Sequence, residues 1–128
     1  MKRFFNFLIV ALLCVMMGCG SALTQNSGES DAEFLARVHE HKTAQVMRVY
    51  ILVDVAMQIA KSQGAGDDAF WERYAKADAL FMMGFRAWQA GDKAQGDFVD
   101  AALAALKALA RELNEAEGKE LVGADVLR

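Results

Sequence analysis

A chain of 128 residues with a formal charge of −3 has room for one small domain with a modest core, and it shows no basic patch of the kind nucleic acid requires. Both cysteines, Cys14 and Cys19, lie near the start, so the rest of the chain has no thiol for a disulfide, a metal or a nucleophile. Proline is absent, alanine is frequent, and no stretch alternates apolar and polar residues for long enough to make a half-buried strand. These features predict an all-α fold.

Lys2 and Arg3 precede an apolar run from Phe4 to Met17 that only Asn6 interrupts. The run is shorter than the about 20 residues of a finished membrane-spanning helix and has the flanks of a targeting segment. It closes on Met16-Met17-Gly18-Cys19, which resembles the lipobox of bacterial lipoproteins, with Met16 where leucine is usual. The resemblance implies cleavage between Gly18 and Cys19 and acylation of Cys19, whose thiol would take a diacylglyceryl group. Cys14 follows bulky Leu13 and does not fit that pattern. An ordinary cleaved signal and an uncleaved N-terminal anchor are the other readings of the same residues. Gly20 follows the cysteine where aspartate would retain a lipoprotein at the inner membrane, so the resemblance implies the outer membrane, facing the periplasm. Loss of Lys2 and Arg3 with the leader makes the mature chain more acidic than the whole.

Ser21 to Gly28 is small, polar and aperiodic, as a flexible tether is. Ser30-Asp31-Ala32-Glu33 has capping-box spacing and predicts a helix start. Leu35, Val38, Val46, Val49, Val53, Ala56 and Ala60 recur at helical spacing until Gly64-Ala65-Gly66, which predicts a helix of about 30 residues. Asp67 or Asp68 caps a second helix, whose Phe70, Tyr74, Ala77, Phe81, Gly84, Phe85 and Trp88 share a face and form the aromatic centre of the core. Gly91 ends it and Asp92 caps the next, so the two helices are antiparallel neighbours. In the third helix Phe98, Ala102, Ala105, Leu106, Leu109 and Leu113 are expected inside, with Asp97, Asp100, Lys107, Arg111 and Glu115 opposite. Leu121, Val122, Val126 and Leu127 allow the end of the chain to pack back as a short helix or to lie loose.

The expected architecture is a small antiparallel three-helix bundle. Its divisions are a signal peptide over 1–18, a lipidated flexible tether over 19–29, the bundle over 30–117 and a tail or short helix over 118–128. Met83-Gly84, Ala87-Trp88 and Gly91-Asp92 resemble the first helix and turn of a tetratricopeptide repeat, in which a small residue lets the second helix approach. Gly96 and Asp100 depart from that pattern and no second copy follows, so the segment reads as a generic helical hairpin.

His39 and His41 are two apart, which on a helix turns them about 200° from each other, so they are expected as solvated surface histidines and no metal site is predicted. Asp54, within a polar stripe of Tyr50, Gln58 and Lys61, is expected in solvent, with a structural hydrogen bond to a neighbouring helix or an acid-base role as the alternatives. Met47, Met57, Met82 and Met83 read as core filler or adaptable contacts. No phosphate loop or nucleophile motif stands out, so neither a catalytic residue nor a cofactor is expected. Trp71, Ala75, Met82 and Met83 flank the aromatic stripe, and need either the first helix or the tail to cover them or a partner protein to dock on them.

The function expected from these features is that of a non-enzymatic lipoprotein, held to the membrane by its N-terminal lipid and binding a protein partner. An accessory or pilotin-like assembly factor for an envelope machine fits that description. The alternatives are an exclusion or immunity lipoprotein of a phage or mobile element, blocking an envelope receptor or transfer apparatus, and an enzyme or ligand carrier with a pocket between its helices.

Overall fold

The computed structural model describes residues 23–128, which form α1 (Asp31–Ser62), α2 (Asp68–Gln89), a 3₁₀ turn (Lys93–Gln95), α3 (Gly96–Glu117) and α4 (Ala124–Leu127), with no strand among the described residues. The fold is all-α, a small helical bundle, as composition and periodicity predict. The chain divides into two compact units between Val38 and His39, inside α1.

In the N-terminal unit the capping box forms as the spacing predicts. The Glu33 backbone N–H donates to Ser30 Oγ at 3.2 Å, and the Ser30 N–H donates to Glu33 Oε2 at 3.2 Å. Two orphan donors are thereby satisfied, an arrangement worth about 1 kcal/mol. The segment before the cap is bound rather than free over part of its length. Arg37 donates to both carboxylate oxygens of Glu29, at 3.1 and 3.0 Å, and to the Thr24 carbonyl at 2.6 Å. The Arg37 guanidinium hydrogen-bonded to Glu29 holds its carboxyl below the ordinary range. Within the flexible tether expected over 19–29, Thr24 and Glu29 thus accept hydrogen bonds from Arg37 of α1. Leu35, expected on the apolar stripe, is exposed.

The C-terminal unit is built from two antiparallel pairings. As the chain advances along α1 its partners on α2 recede, His39 meeting Trp88, Tyr50 meeting Asp78, and Asp54 meeting Tyr74. Between α2 and α3, Arg73 pairs with Glu112, while Phe98 lies over Gly84. Both turns follow from local chemistry. Past α1, the Gly64 N–H donates to the Lys61 carbonyl and the Ala65 N–H to the Ala60 carbonyl, with Gly64 at φ 83°, a left-handed position that a Cβ would strain. Asp67 then caps α2 by accepting from the Phe70 N–H at 2.7 Å. Past α2, Gly91 at φ 111° reverses the chain, and Asp92 accepts from the Ala94 N–H at 3.2 Å, capping the 3₁₀ turn that leads into α3.

The core is centred on α2. Phe81 is fully buried, stacked on Tyr50 with centroids 4.4 Å apart and on Phe85 at 5.7 Å, and Trp88 meets Phe85 edge to face. From α1, Val53, Met57 and Ala60 complete the packing, so Met57 is core filler as its residue type suggests. On α3 the buried residues are Val99, Leu103, Leu106, Ala110 and Leu113, a face turned from the predicted one. Phe98 is 42 % exposed and Ala105 lies outside, while Leu106 and Leu113 are buried as expected. Alanine occupies so many positions of α3 that its apolar arc is wide, and the branched side chains take the inner part. The end of the chain packs back: Val122 and Leu127 are buried, and the Asn114 side chain accepts from the Leu121 and Val122 N–H groups and donates to the Val122 carbonyl. Lys107 and Arg111, expected in solvent, donate to the carbonyls of Arg128 and Leu127.

Gly84 shows how closely α2 and α3 approach. A Cβ there would overlap the Phe98 ring at Cδ1 and Cε1, so any larger residue displaces the ring. Phe98 has solvent on its other side and can swing out. Gly84→Ala should therefore cost no more than about 1 kcal/mol, as the gain of up to about 1 kcal/mol in helix propensity offsets lost ring contact. In a Phe98→Ala background the same substitution should become stabilising. Urea unfolding of the four variants checks this change of sign, and a Gly84→Ala cost unaltered by Phe98→Ala would contradict it.

Candidate functional site

The seam between α1 and α2 carries the polar and aromatic groups that the sequence singles out. Tyr74 donates its hydroxyl to Asp54 Oδ1 at 2.8 Å, and Tyr50 donates to Asp78 Oδ1, so each helix contributes one tyrosine and one aspartate to two reciprocal links. Burial, then the hydrogen bond to its aspartate, pushes each tyrosine hydroxyl well above the ordinary range. Asp54, expected in solvent, is half-buried and accepts this interhelical bond. The polar stripe of Tyr50 and Asp54 faces α2, and a hydroxyl acceptor pair across a seam is a structural cross-link.

His39 is also corrected. It is half-buried, with Nε2 2.9 Å from the Trp88 carbonyl and its ring edge-on to the Trp88 indole at 5.5 Å. It thus joins the start of the unit to the last turn of α2. No group of three or more His, Cys, Asp or Glu residues among the described residues could hold a metal ion.

The partner-binding candidates do not form one patch. Trp71 is half-buried, its Nε1–H donating 2.8 Å to the Ala65 carbonyl, its ring edge-on to Phe70 and Tyr74, and the Lys61 ammonium 5.6 Å from its centre. The end of α1 and the turn after it cover this tryptophan, the first of the two arrangements its flank position allows. Ala75 is exposed. Met82 is half-buried, whereas Met83, about 100° further round the helix, is 63 % exposed. Leu80 and Phe98 are the other exposed large apolar residues of α2 and α3, and α1 exposes Ile51, Val55 and Ile59.

Met82 belongs instead to a groove of about 460 Å³ between α1 and α2. Met47, Met82 and Phe85 make its apolar surface, and Glu40, Arg86 and Gln89 its polar edge. Thr43, buried in the same wall, spends its hydroxyl on the Glu40 carbonyl at 2.9 Å. Sequence reasoning missed this groove because its two walls lie some 40 residues apart in the chain. The only local signal was a methionine on each helix outside the main stripe.

Gly18 and Cys19, the cleavage and acylation positions that the lipobox resemblance implies, lie outside the described residues, as do residues 1–17. The class that fold and site define is a small all-α unit with a solvent-facing groove and scattered exposed apolar side chains. No family model, curated protein or solved structure matches the chain.

Proposed function

We propose that this chain is a bacterial lipoprotein, anchored by acylated Cys19 at the outer membrane and facing the periplasm, whose helical unit binds a protein partner. The observation that carries the reading is the order of a basic start, an apolar run and Met16-Met17-Gly18-Cys19 at the beginning of the chain. One acyl chain holds a protein to a bilayer only marginally, whereas the several chains of a bacterial lipoprotein hold it stably. Such an anchor confines a small helical unit near the membrane and raises its effective concentration against envelope proteins. Exposed Leu80, Met83 and Phe98, with the groove at Met82, supply apolar surface for contact. The corresponding role is non-enzymatic, that of an accessory or pilotin-like assembly factor for an envelope machine.

The test is metabolic labelling with palmitate in the native host. Wild type should incorporate label and fractionate with membranes, and a signal peptidase II inhibitor such as globomycin should leave it as a longer precursor. Cys19→Ala should lose the label. Equal labelling of the two would remove the anchor from Cys19.

A further inference from the structure

The helices of the C-terminal unit are not held equally. Cα atoms of α2 and α3 come within 8 Å of each other along their seam, with Val99 packed at Gly84, whereas α1 scarcely reaches that distance from any other helix. α1 meets α2 through the ends of long side chains, Tyr50 with Asp78, Asp54 with Tyr74 and His39 with the Trp88 carbonyl. Its burial is uneven as well. Val53, Met57 and Ala60 are buried over the last turns before Gly64, but from His39 to Leu52 the one buried residue is Thr43. That earlier part forms a wall of the groove, so it spans open space more than core. The turn after α1 is pinned to the rest of the unit. Trp71 Nε1–H donates to the Ala65 carbonyl at 2.8 Å, and the Gly66 N–H donates to Glu117 Oε1 at 2.9 Å. Gly64, just before these pinned residues, has a left-handed φ of 83° and no heavy atom within 4 Å of where a Cβ would stand. A glycine with free space between a pinned turn and a rigid helix can absorb the backbone rotation of a hinge.

We infer that α1 from His39 onward is a hinged cover, which swings about Gly64 away from α2 while α2, α3 and α4 stay together. At about 1.5 Å per residue, His39 lies about 37 Å and Val53 about 16 Å from the pivot, so a rotation of about 10° lifts them by about 6 Å and about 3 Å. The swing breaks the His39 contact and the Tyr50–Asp78 link first, widens the groove and bares Phe85 and Trp88. Ala60 hardly moves. The part that travels furthest gives up the least apolar burial, so this opening costs less than unfolding the unit. The swing depends neither on an anchor nor on a docked partner.

The experiment measures thiol labelling of the purified full chain with one substitution at a time, Thr43→Cys, Val53→Cys or Ala60→Cys on α1 and Ala110→Cys on α3. All four positions are buried and close to cysteine in size, and peptide masses separate them from Cys14 and Cys19. Labelling should be fastest at the Thr43 site, slower at the Val53 site and slowest at the Ala60 and Ala110 sites, with at least about tenfold between the first and the last. Adding Tyr50→Phe should raise the rate at the Thr43 site at least about fivefold. Val99→Ala loosens α3 from α2 in the closed and open forms alike. It should therefore leave the Thr43 site within about twofold and raise the Ala110 site at least about fivefold. A common rate at all four sites, or a rate at the Thr43 site that follows Val99→Ala, would mean one cooperative unit and overturn the hinge. Labelling as fast at the Ala60 site as at the Thr43 site would overturn the pivot at Gly64. Fast labelling at the Thr43 site that ignores Tyr50→Phe would confine the motion to the groove wall and overturn the cover.

Discussion

Phe81→Ala should lower the unfolding free energy by about 3–5 kcal/mol, the largest loss expected from any single truncation in this unit. Phe81 is fully buried on the central helix, stacked on Tyr50 from α1 and on Phe85 one turn further along α2. Its removal costs the transfer free energy of the ring and leaves a cavity that rigid helices close only in part. Small domains are stable by about 5–15 kcal/mol, so such a loss takes up a large share of the total. Met83→Ala, two positions along but 63 % exposed, is the matched control and should change stability by no more than about 0.5 kcal/mol. Denaturant unfolding followed by circular dichroism measures both. A loss below about 1 kcal/mol for Phe81→Ala would mean that α2 is not the centre of the core.

The Tyr-Asp links between α1 and α2 give the second large effect. Hydrogen bonds to a charged group contribute about 1.5–3 kcal/mol, and deleting the donor leaves a half-buried carboxylate facing the seam. Tyr50→Phe should fall within that range, and Tyr74→Phe toward its lower end, because Asp54 keeps a long contact with Gln58 at 3.5 Å. The pairs lie one helical turn apart, so the double variant should depart from additivity. Burial raises both hydroxyls above their ordinary value of 10, so the folded state holds two protons that the unfolded chain releases. Their contribution is whole below pH 10 and is lost as pH rises beyond it toward the folded values. Each tyrosine adds a slope of at most about 1.4 kcal/mol per pH unit, reduced here by partial exposure. Thermal melts between pH 9 and 11.5 should show wild type losing stability faster than Tyr50→Phe/Tyr74→Phe. Parallel losses would contradict the assignment.

What was legible in the sequence was mostly what a residue does within its own helix. Ser30 and Glu33 cap each other, Asp67 caps α2, and Gly64 and Gly91 turn the chain where they were expected to. Phe70, Tyr74, Phe81, Phe85 and Trp88 are buried because they share one face of α2, with Trp71 on its flank. What escaped depends on a second helix. Asp54 and His39 look solvated on their own wheel and acquire partners only when α2 brings Tyr74 and the Trp88 carbonyl alongside. On α3, alanine on most faces blurred which part of the arc turns inward, and Gly84 offers Phe98 a shallow seat at the rim of the core. The candidate site divides the same way. Met82 reaches the groove and Met83 faces away, a distinction set by where α1 crosses α2 rather than by either residue. Arg37 reaching back to Glu29 and Thr24 was hidden for a different reason, since a polar, aperiodic segment carries no sign that one arginine will donate to it.

Intact-mass and N-terminal peptide spectrometry of the protein purified from host membranes tests lipidation at Cys19 most directly. The purified chain should begin at Cys19 and carry acyl mass on that residue. A product beginning elsewhere, or retaining residues 1–18 with an unmodified Cys19, would contradict it.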